Sequence, residues 1–354
     1  MWKRFLAMVA ICAVMAVGLT NYSNKTGIRT DGLYYEASGI RPDAQMLQVN
    51  GESVCAEEFF YWLDSTCAYL VSYAGGQLDF SAQVSEDMTL GEYAKSDAAN
   101  TVTLYALVRQ MAAEAGVTLT EEDLAALDAQ HRQYVAYYGG EEGYSLQMQL
   151  MGVREELLRR TEEVPYLYNR MFRIYCDPAS SLYPGDDALK AYGDENGYVT
   201  AQLLYFPTAG LDDAALATMK TMAEDYTAQL AAAADKQAVY ADLAAKMGLT
   251  VSGDGLTFNA AESDASLHQA VAALAPGQVS SVIETPGGYY TALRMETNYA
   301  ALAEDLFNIY LQDRQDSAKV EYSDKYDALD AGTFYGNLLE ERIALMEQML
   351  GQSR

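Results

Sequence analysis

The sequence predicts an α+β protein, in which a body of long helices is interrupted by a small module of mixed strands and helices. Three observations predict this architecture. Long helical patterns run from residue 46 to about 185, strand-like runs alternate with shorter helical patterns between residues 197 and 297, and helical patterns return over 300–354. Half of the 354 residues are hydrophobic, which is enough for a buried core in each part.

The first residues read as a targeting segment. Lys3 and Arg4 precede an apolar run over residues 5–19, which ends in small side chains. A basic head followed by a short apolar core is typical of a secretory signal. We therefore expect residues 1–18 to be a signal peptide or a retained anchor, and membrane contact to involve this segment only. Residues 19–45 are rich in Gly, Ser, Asn and Thr and are interpreted as a linker.

The helical body begins with a short strand at 46–50, which ends at the turn Asn50-Gly51. A helix follows, with Glu57 and Glu58 in its first turn, where they favour the positive end of the helix dipole. Further helices are predicted over residues 90–115, 120–138, 144–151 and 153–175. Pro165 should kink the last of these. The final helix is predicted over 337–350, after a break at residues 333–335.

The inserted module over 197–297 differs in pattern from the body around it. Its strands are predicted at 199–206, 279–283 and 289–295, and its helices at 214–230, 237–247 and 267–274. Such a mixture of short strands and helices predicts a compact α+β domain.

The charge balance excludes some classes of function. The formal net charge is −27, and without residues 1–18 it becomes about −29, from 21 basic and 50 acidic residues. Such a surface repels phosphate backbones, so we expect no nucleic-acid partner. Acidity keeps an exported protein soluble, or it suits basic or unfolded partners. With only His131 and His268, a His-rich metal site is not expected, and no cofactor is predicted.

Three cysteines follow the signal, Cys55, Cys67 and Cys176. An odd number allows at most one intramolecular disulfide. Cys55 and Cys67 on one helix would stand roughly 18 Å apart, too far to bond. Pairing of Cys67 with Cys176 stays open, but buried free thiols are favoured.

Two segments of the body resemble the PrsA/SurA-type foldases. Residues 48–59 read QVNGESVCAEEF and residues 113–123 read AEAGVTLTEED, similar to two stretches of that group. The resemblance implies a helical N-terminal region, an inserted parvulin domain and C-terminal helices that pack on the body. Cys55 stands where the group usually has Thr, which weakens the helix cap.

The module resembles parvulins, the PpiC-type peptidyl-prolyl isomerases. Residues 239–247, 267–280 and 284–293 carry the similar motifs. Parvulins lower the barrier to X-Pro rotation, which arises from the double-bond character of the amide. In the family, aromatic side chains hold the Pro ring, and two buried His belong to a polar network.

The resemblance places the family's pocket positions on six residues of this chain. The two His positions are occupied by Leu203 and Tyr290, and two aromatic positions by Leu267 and Ala272. Thr285 keeps the family's hydroxyl, and Phe258 is interpreted as a pocket wall. Because both His are replaced, no catalytic residue is predicted, and the six positions are predicted only to bind substrate.

The resemblance implies an extracytoplasmic chaperone or foldase with a degenerate isomerase domain. Its expected partners are unfolded or partly folded exported polypeptides. Two alternatives remain, an active parvulin-type isomerase with an atypical pocket and an assembly or structural factor of the cell envelope that reuses the fold.

Overall fold

The computed structural model describes residues 32–249 and 253–352, with side chains up to residue 349. The predicted signal segment, residues 1–18, lies outside this part. The chain divides into two compact units. Unit 1 joins the chain up to Arg173 with the chain from Leu311 onwards, and unit 2 is Ile174–Tyr310.

Unit 1 is mostly helical. Its helices before the division are α1 (Gly32–Ser38), α2 (Ala56–Tyr73), α3 (Leu90–Glu114), α4 (Glu121–Tyr137), α5 (Glu141–Met151) and α6 (Glu155–Tyr175), which continues into unit 2. Its strands there are β1 (Gln45–Val49), β2 (Glu52–Cys55), β3 (Gln83–Ser85) and β4 (Met88–Thr89).

Unit 2 holds the mixed module. Its elements are α7 (Asp186–Glu195), β5 (Val199–Pro207), α8 (Asp213–Ala232), α9 (Lys236–Lys246), β6 (Leu256–Phe258), α10 (Ala265–Ala272), β7 (Ile283–Thr285), β8 (Gly288–Met295) and a 3-10 turn at Tyr299–Leu302. Helix α11 (Ala303–Asp316) leads back to unit 1, which ends with β9 (Val320–Tyr322), α12 (Asp324–Ala328) and α13 (Ala331–Gln352).

Two helices of unit 1 begin with reciprocal side-chain caps. Thr89 accepts from the backbone N–H of Glu92, while the Glu92 carboxylate accepts from the backbone N–H of Thr89. Thr120 and Asp123 form the same arrangement at the start of α4. These bonds satisfy backbone donors that a helix start leaves without partners. The start of the helix predicted over 120–138 is confirmed, with Thr120 as its N-cap.

The C-terminal helix α13 completes the core of unit 1. The ring of Phe334 stacks on Phe60 at 4.5 Å between centroids, and both contact Tyr34 of α1. Each such buried side chain contributes about 1.5–3 kcal/mol of hydrophobic stabilisation. Arg342 of α13 forms an ion pair with Asp64 of α2, and both side chains are buried. Residues from the two ends of the described chain therefore share one core.

A small sheet joins the same two parts of unit 1. Its strand order is β2-β1-β9, with both pairings antiparallel. Leu47 on the central strand is opposite Val54 on one side and Tyr322 on the other.

Unit 2 is built on a four-stranded sheet with the order β6-β5-β8-β7. The central pair, β5 and β8, is antiparallel from Thr200↔Met295 to Pro207↔Gly288. One face packs on α8 and α9 through Leu204, Phe206 and Leu293. The other face packs on α10 and is called the α10 face below.

Three predictions for local structure were wrong. Part of the predicted linker over 19–45 forms α1, which buries Tyr34 in the core. The predicted break at 333–335 lies inside α13, because the burial of Phe334 outweighs its modest helix propensity. The predicted strand over 279–283 is replaced by β7 at Ile283–Thr285, and Val279 forms only an isolated bridge with Leu293.

Unit 2 is wider than the predicted module at 197–297. Leu189 of α7 packs on Tyr198 and on Leu302, which flanks the module on its other side. Within the described residues, Cys55, Cys67 and Cys176 are all free thiols, so the disulfide left open between Cys67 and Cys176 is absent. Cys55 precedes α2 without making a side-chain cap, as its replacement of Thr predicted.

Candidate functional site

The α10 face of unit 2 brings together four of the six predicted pocket residues. Phe258 and Leu267 are buried there, and Leu203 and Tyr290 pack against the same cluster. They come from four different elements: β6, α10, β5 and β8. The tertiary fold therefore gathers positions that are spread over almost ninety residues of sequence.

The register of the central strands explains why Leu203 and Tyr290 share this face. Leu203 is opposite Ala292, and Tyr205 is opposite Tyr290. Side chains alternate between the faces of a sheet with period two, so Leu203, Tyr205 and Tyr290 project to the same side. The rings of Tyr205 and Tyr290 stack with centroids 4.7 Å apart. An aromatic pair therefore stands beside Leu203.

The environment of Tyr290 keeps its hydroxyl protonated. Burial is the largest of the causes that raise the pKa of Tyr290 above its ordinary value. The neighbouring Tyr205 and the carboxylate of Asp264 raise this pKa further. The Asp264 carboxylate is held at the start of α10, where it accepts from the backbone N–H of Ser266 at 2.8 Å. At neutral pH Tyr290 is thus a neutral phenol that can donate a hydrogen bond but cannot act as a base.

Thr285 is the last residue of β7, directly before the turn that leads to β8. Its hydroxyl donates to the carbonyl oxygen of Gly288 at 2.9 Å, and the Tyr205 hydroxyl donates to that of Gly287 at 2.8 Å. Gly288 has φ +153°, and a Cβ there would come within 2.3 Å of the Phe206 carbonyl oxygen. Both hydroxyls therefore hold the turn that ends the sheet, rather than standing free for a substrate.

Ala272 does not join the other pocket positions. It is exposed, whereas Val271 is fully buried on the α10 face. Residues four apart lie on the same side of a helix, so Val271 continues the side of Leu267 and Ala272 points elsewhere. Ala272, to which the resemblance assigns an aromatic position of the family, is therefore not on the α10 face, and Val271 is the buried residue there.

Three contributors to this face were missed from the sequence. Tyr205 stacks on Tyr290, Asp264 lies close enough to shift its pKa, and Leu256 is 58 % exposed on β6. The alternation of β5 places Tyr205 two residues after Leu203, so its sharing of that face could have been inferred. The presence of Leu256 and Asp264 near this face follows from the pairing of β6 and the position of α10, which cannot be inferred from local sequence pattern.

The two histidines lie elsewhere. His131 of unit 1 is 3.6 Å from the Glu155 carboxylate and meets the Tyr144 ring edge-on. His268 on α10 bonds through Nε2 to the Gly197 carbonyl oxygen at 2.7 Å, beside Phe258. Among the described residues, no group of three His, Cys, Asp or Glu side chains could hold a metal ion.

The α10 face presents apolar and aromatic side chains, and the Tyr290 phenol stands at the position that the sequence resemblance assigns to one family His. The side chain of Leu203 has no polar atom. This side chain can therefore neither form a hydrogen bond nor accept a proton. The arrangement fits the holding of a chain segment better than general acid–base chemistry.

Comparison with known families identifies unit 2. Residues 186–305 match the family described as the PPIC-type PPIase domain, the peptidyl-prolyl isomerases of the parvulin class. The chain therefore contains a domain of this family, and the resemblance noted in the sequence is confirmed. The matched residues begin with α7 and end in α11, in agreement with the width of unit 2.

Three solved structures with a likeness to the chain are of PrsA or SurA-like proteins. PrsA of Bacillus subtilis is 15 % identical, with 76 % of this chain and 93 % of that chain covered and a TM-score of 0.28. PrsA of Streptococcus pneumoniae is 18 % identical, with 75 % and 93 % covered and a TM-score of 0.28.

A third match is with the Campylobacter jejuni proteins PEB4 and Cj1289, described as SurA-like chaperones. It has 12 % identity, covers 79 % of this chain and 99 % of that chain, and has a TM-score of 0.25. No curated protein matches the chain. The assignment of unit 2 rests on the family match over residues 186–305. Within the described ranges, every helix is too short or too polar to cross a bilayer.

Proposed function

We propose that this protein is an extracytoplasmic chaperone of the foldase type, which binds unfolded or partly folded exported polypeptides through apolar surface. In this proposal its PPIC-type domain is a degenerate isomerase that contributes binding rather than catalysis. Residues 1–18 direct export, and membrane contact is confined to that N-terminal segment.

One observation carries the proposal, namely the apolar and aromatic character of the α10 face. Leu203 and Tyr290, the two residues that the sequence resemblance assigns to the family's His positions, both pack against this cluster, and the Tyr290 ring stacks on Tyr205. Removing one positioned hydrogen-bond donor typically costs an enzyme about 10²–10³ in rate, so two lost imidazoles leave little catalysis. Holding an apolar segment requires none of these groups.

Charge supports the choice of partner. The chain carries −27 overall, and polypeptides with basic, apolar segments would be attracted to it.

The proposal is tested by suppression of aggregation. Residues 19–354 would be mixed with a chemically unfolded basic protein, such as reduced lysozyme, and light scattering followed during dilution from denaturant. We expect scattering to fall as the molar ratio approaches one. An unrelated protein of similar acidity serves as the control, because charge alone can slow aggregation. Equal suppression by that control, or none by this chain, would contradict the proposal.

One observation favours the alternative of an active isomerase with an atypical pocket. Tyr290 is kept protonated and can donate one hydrogen bond to a twisting amide. In that alternative the activity would depend on the Tyr290 hydroxyl. The other alternative, an envelope assembly factor, is supported by no particular residue of the described chain.

A further inference from the structure

The last helix of unit 1, α13, carries more apolar surface than the core of unit 1 covers. Its buried side is formed by Phe334, Leu338 and Arg342. Beside it, Leu339 and Ile343 are 41 % and 53 % exposed, and Met346 is half-buried. Positions i, i+4 and i+7 lie on one side of a helix, so these three form a continuous line, called the α13 strip below.

The beginning of the same helix side is covered, whereas the strip is not. Gly332 lies two turns before Leu339 and shares its side. A Cβ on Gly332 would stand 2.8 Å from the Cβ of Phe80, whose ring also contacts Tyr335 at 5.7 Å. The loop containing Phe80 thus closes over the first two turns of α13. From Leu339 onwards the apolar side chains remain accessible.

The charges of α13 decide what fits the strip. Glu340 and Glu347 are exposed and lie seven residues apart, on one border of the strip. Arg342 is the only basic residue of α13, and it is buried in its ion pair with Asp64. The exposed charge along this helix is therefore entirely acidic over the residues whose side chains are described.

We propose that the α13 strip is a docking site for a basic amphipathic segment of a client polypeptide, with apolar residues against Leu339, Ile343 and Met346 and Lys or Arg beside Glu340 and Glu347. This deepens the proposed chaperone function and rests on it. A second copy of the chain fits poorly, because this acidic chain would bring further carboxylates against Glu340 and Glu347. An anionic lipid surface is disfavoured for the same reason.

The experiment uses residues 19–354 and three labelled amphipathic peptides with identical leucines. Their remaining positions are Lys, Gln or Glu, and binding is followed by fluorescence anisotropy at about 0.15 M salt, which screens distant charges. We expect the Lys peptide to bind most tightly, the Gln peptide more weakly and the Glu peptide least. Equal binding of all three would overturn the proposed charge selection.

Two pairs of variants locate the site. Ile343→Ser should weaken binding of the Lys peptide at least about tenfold, whereas Leu124→Ser, at a site on α4 that is 40 % exposed, should not. Glu340→Lys with Glu347→Lys should reverse the preference towards the Glu peptide. Glu86→Lys with Asp87→Lys, in the exposed turn between β3 and β4, makes the same change in net charge and should preserve the preference.

The outcomes separate this inference from the proposed function. If the protein suppresses aggregation but Ile343→Ser leaves peptide binding unchanged, the α13 strip is not the docking site, and the proposed chaperone function stands. If the wild-type chain sediments as a dimer and Ile343→Ser sediments as a monomer, the α13 strip is an interface between two copies of the chain and not a client site. Binding of the intact chain to anionic vesicles that is lost in Ile343→Ser would overturn it in favour of a membrane. Unchanged melting temperatures of the variants would show that they fold.

Discussion

Glu162 on α6 is a carboxylate whose surroundings favour its neutral form. Burial, opposed by Arg159 and by a hydrogen bond from Gln130 of α4, raises the pKa of Glu162 to about 7. In an unfolded chain a Glu has a pKa of about 4.3. The folded state therefore binds this proton more tightly than the unfolded state, and protonation of Glu162 stabilises unit 1.

The pH dependence of unit 1 follows from this difference. The contribution of Glu162 is fully present below about pH 4.3 and is lost as the pH rises through about 7. We expect Glu162→Gln to stabilise the protein at pH 8 by about 1–2 kcal/mol, a value reduced for the partial exposure of this side chain. The measurement is urea unfolding at pH 6 and pH 8. The neighbouring change Glu163→Gln is the control, and an equal gain from it would contradict this role of Glu162.

At the scale of elements, the turn between β7 and β8 sets the register of the α10 face. Gly288 begins β8 at φ +153°, and its Cα lies against the Phe206 carbonyl. This carbonyl belongs to the strand that carries Leu203 and Tyr205. A side chain on Gly288 would push the two central strands apart at the end where the Tyr205 and Tyr290 rings stack.

Gly288→Ala is therefore expected to destabilise unit 2 by about 2–4 kcal/mol, because backbone cannot yield as a flexible side chain can. Gly287→Ala is the matched control, since the nearest atom to a Cβ there is the Tyr205 hydroxyl at 3.4 Å. Denaturant unfolding followed by the tyrosine signal measures both. Equal losses of unfolding free energy in the two variants would show that the close approach of Gly288 to the Phe206 carbonyl does not determine the stability of unit 2.

Helices with strong start signals could be predicted from sequence, whereas elements defined by distant partners could not. The capping residues Thr120 and Asp123 mark α4 locally. Strand β9, by contrast, exists through its pairing with β1, more than 270 residues earlier. Likewise, the pocket positions Leu203 and Tyr290 follow from motif resemblance, but the exposure of Ala272 depends on how α10 is rotated against the sheet.

At the scale of the molecule, the buried ion pair between Arg342 and Asp64 ties the C-terminal helix to the N-terminal part of unit 1. Arg342 donates through Nη1 to Asp64 at 2.9 Å and through Nε to the Leu150 carbonyl oxygen at 2.8 Å. Removing one partner would leave the other charge buried without compensation.

Arg342→Met is expected to destabilise unit 1 by about 3–5 kcal/mol, because the Asp64 carboxylate stays buried. Lys319→Met breaks the exposed pair with Glu321 and should cost less than about 1 kcal/mol. Chemical unfolding of both variants measures the difference. A small effect of Arg342→Met would contradict the view that the returning helix completes the core.

The central claim, that the α10 face binds without catalysing, is tested most directly by proline-limited refolding of a model protein in the presence of residues 19–354. X-Pro isomerisation takes tens to hundreds of seconds without a catalyst, so acceleration is easily seen. We predict no acceleration from the wild-type chain, nor from Tyr290→Phe or Tyr289→Phe, the latter a control on the opposite sheet face. Acceleration by the wild type that disappears in Tyr290→Phe and persists in Tyr289→Phe would contradict the account.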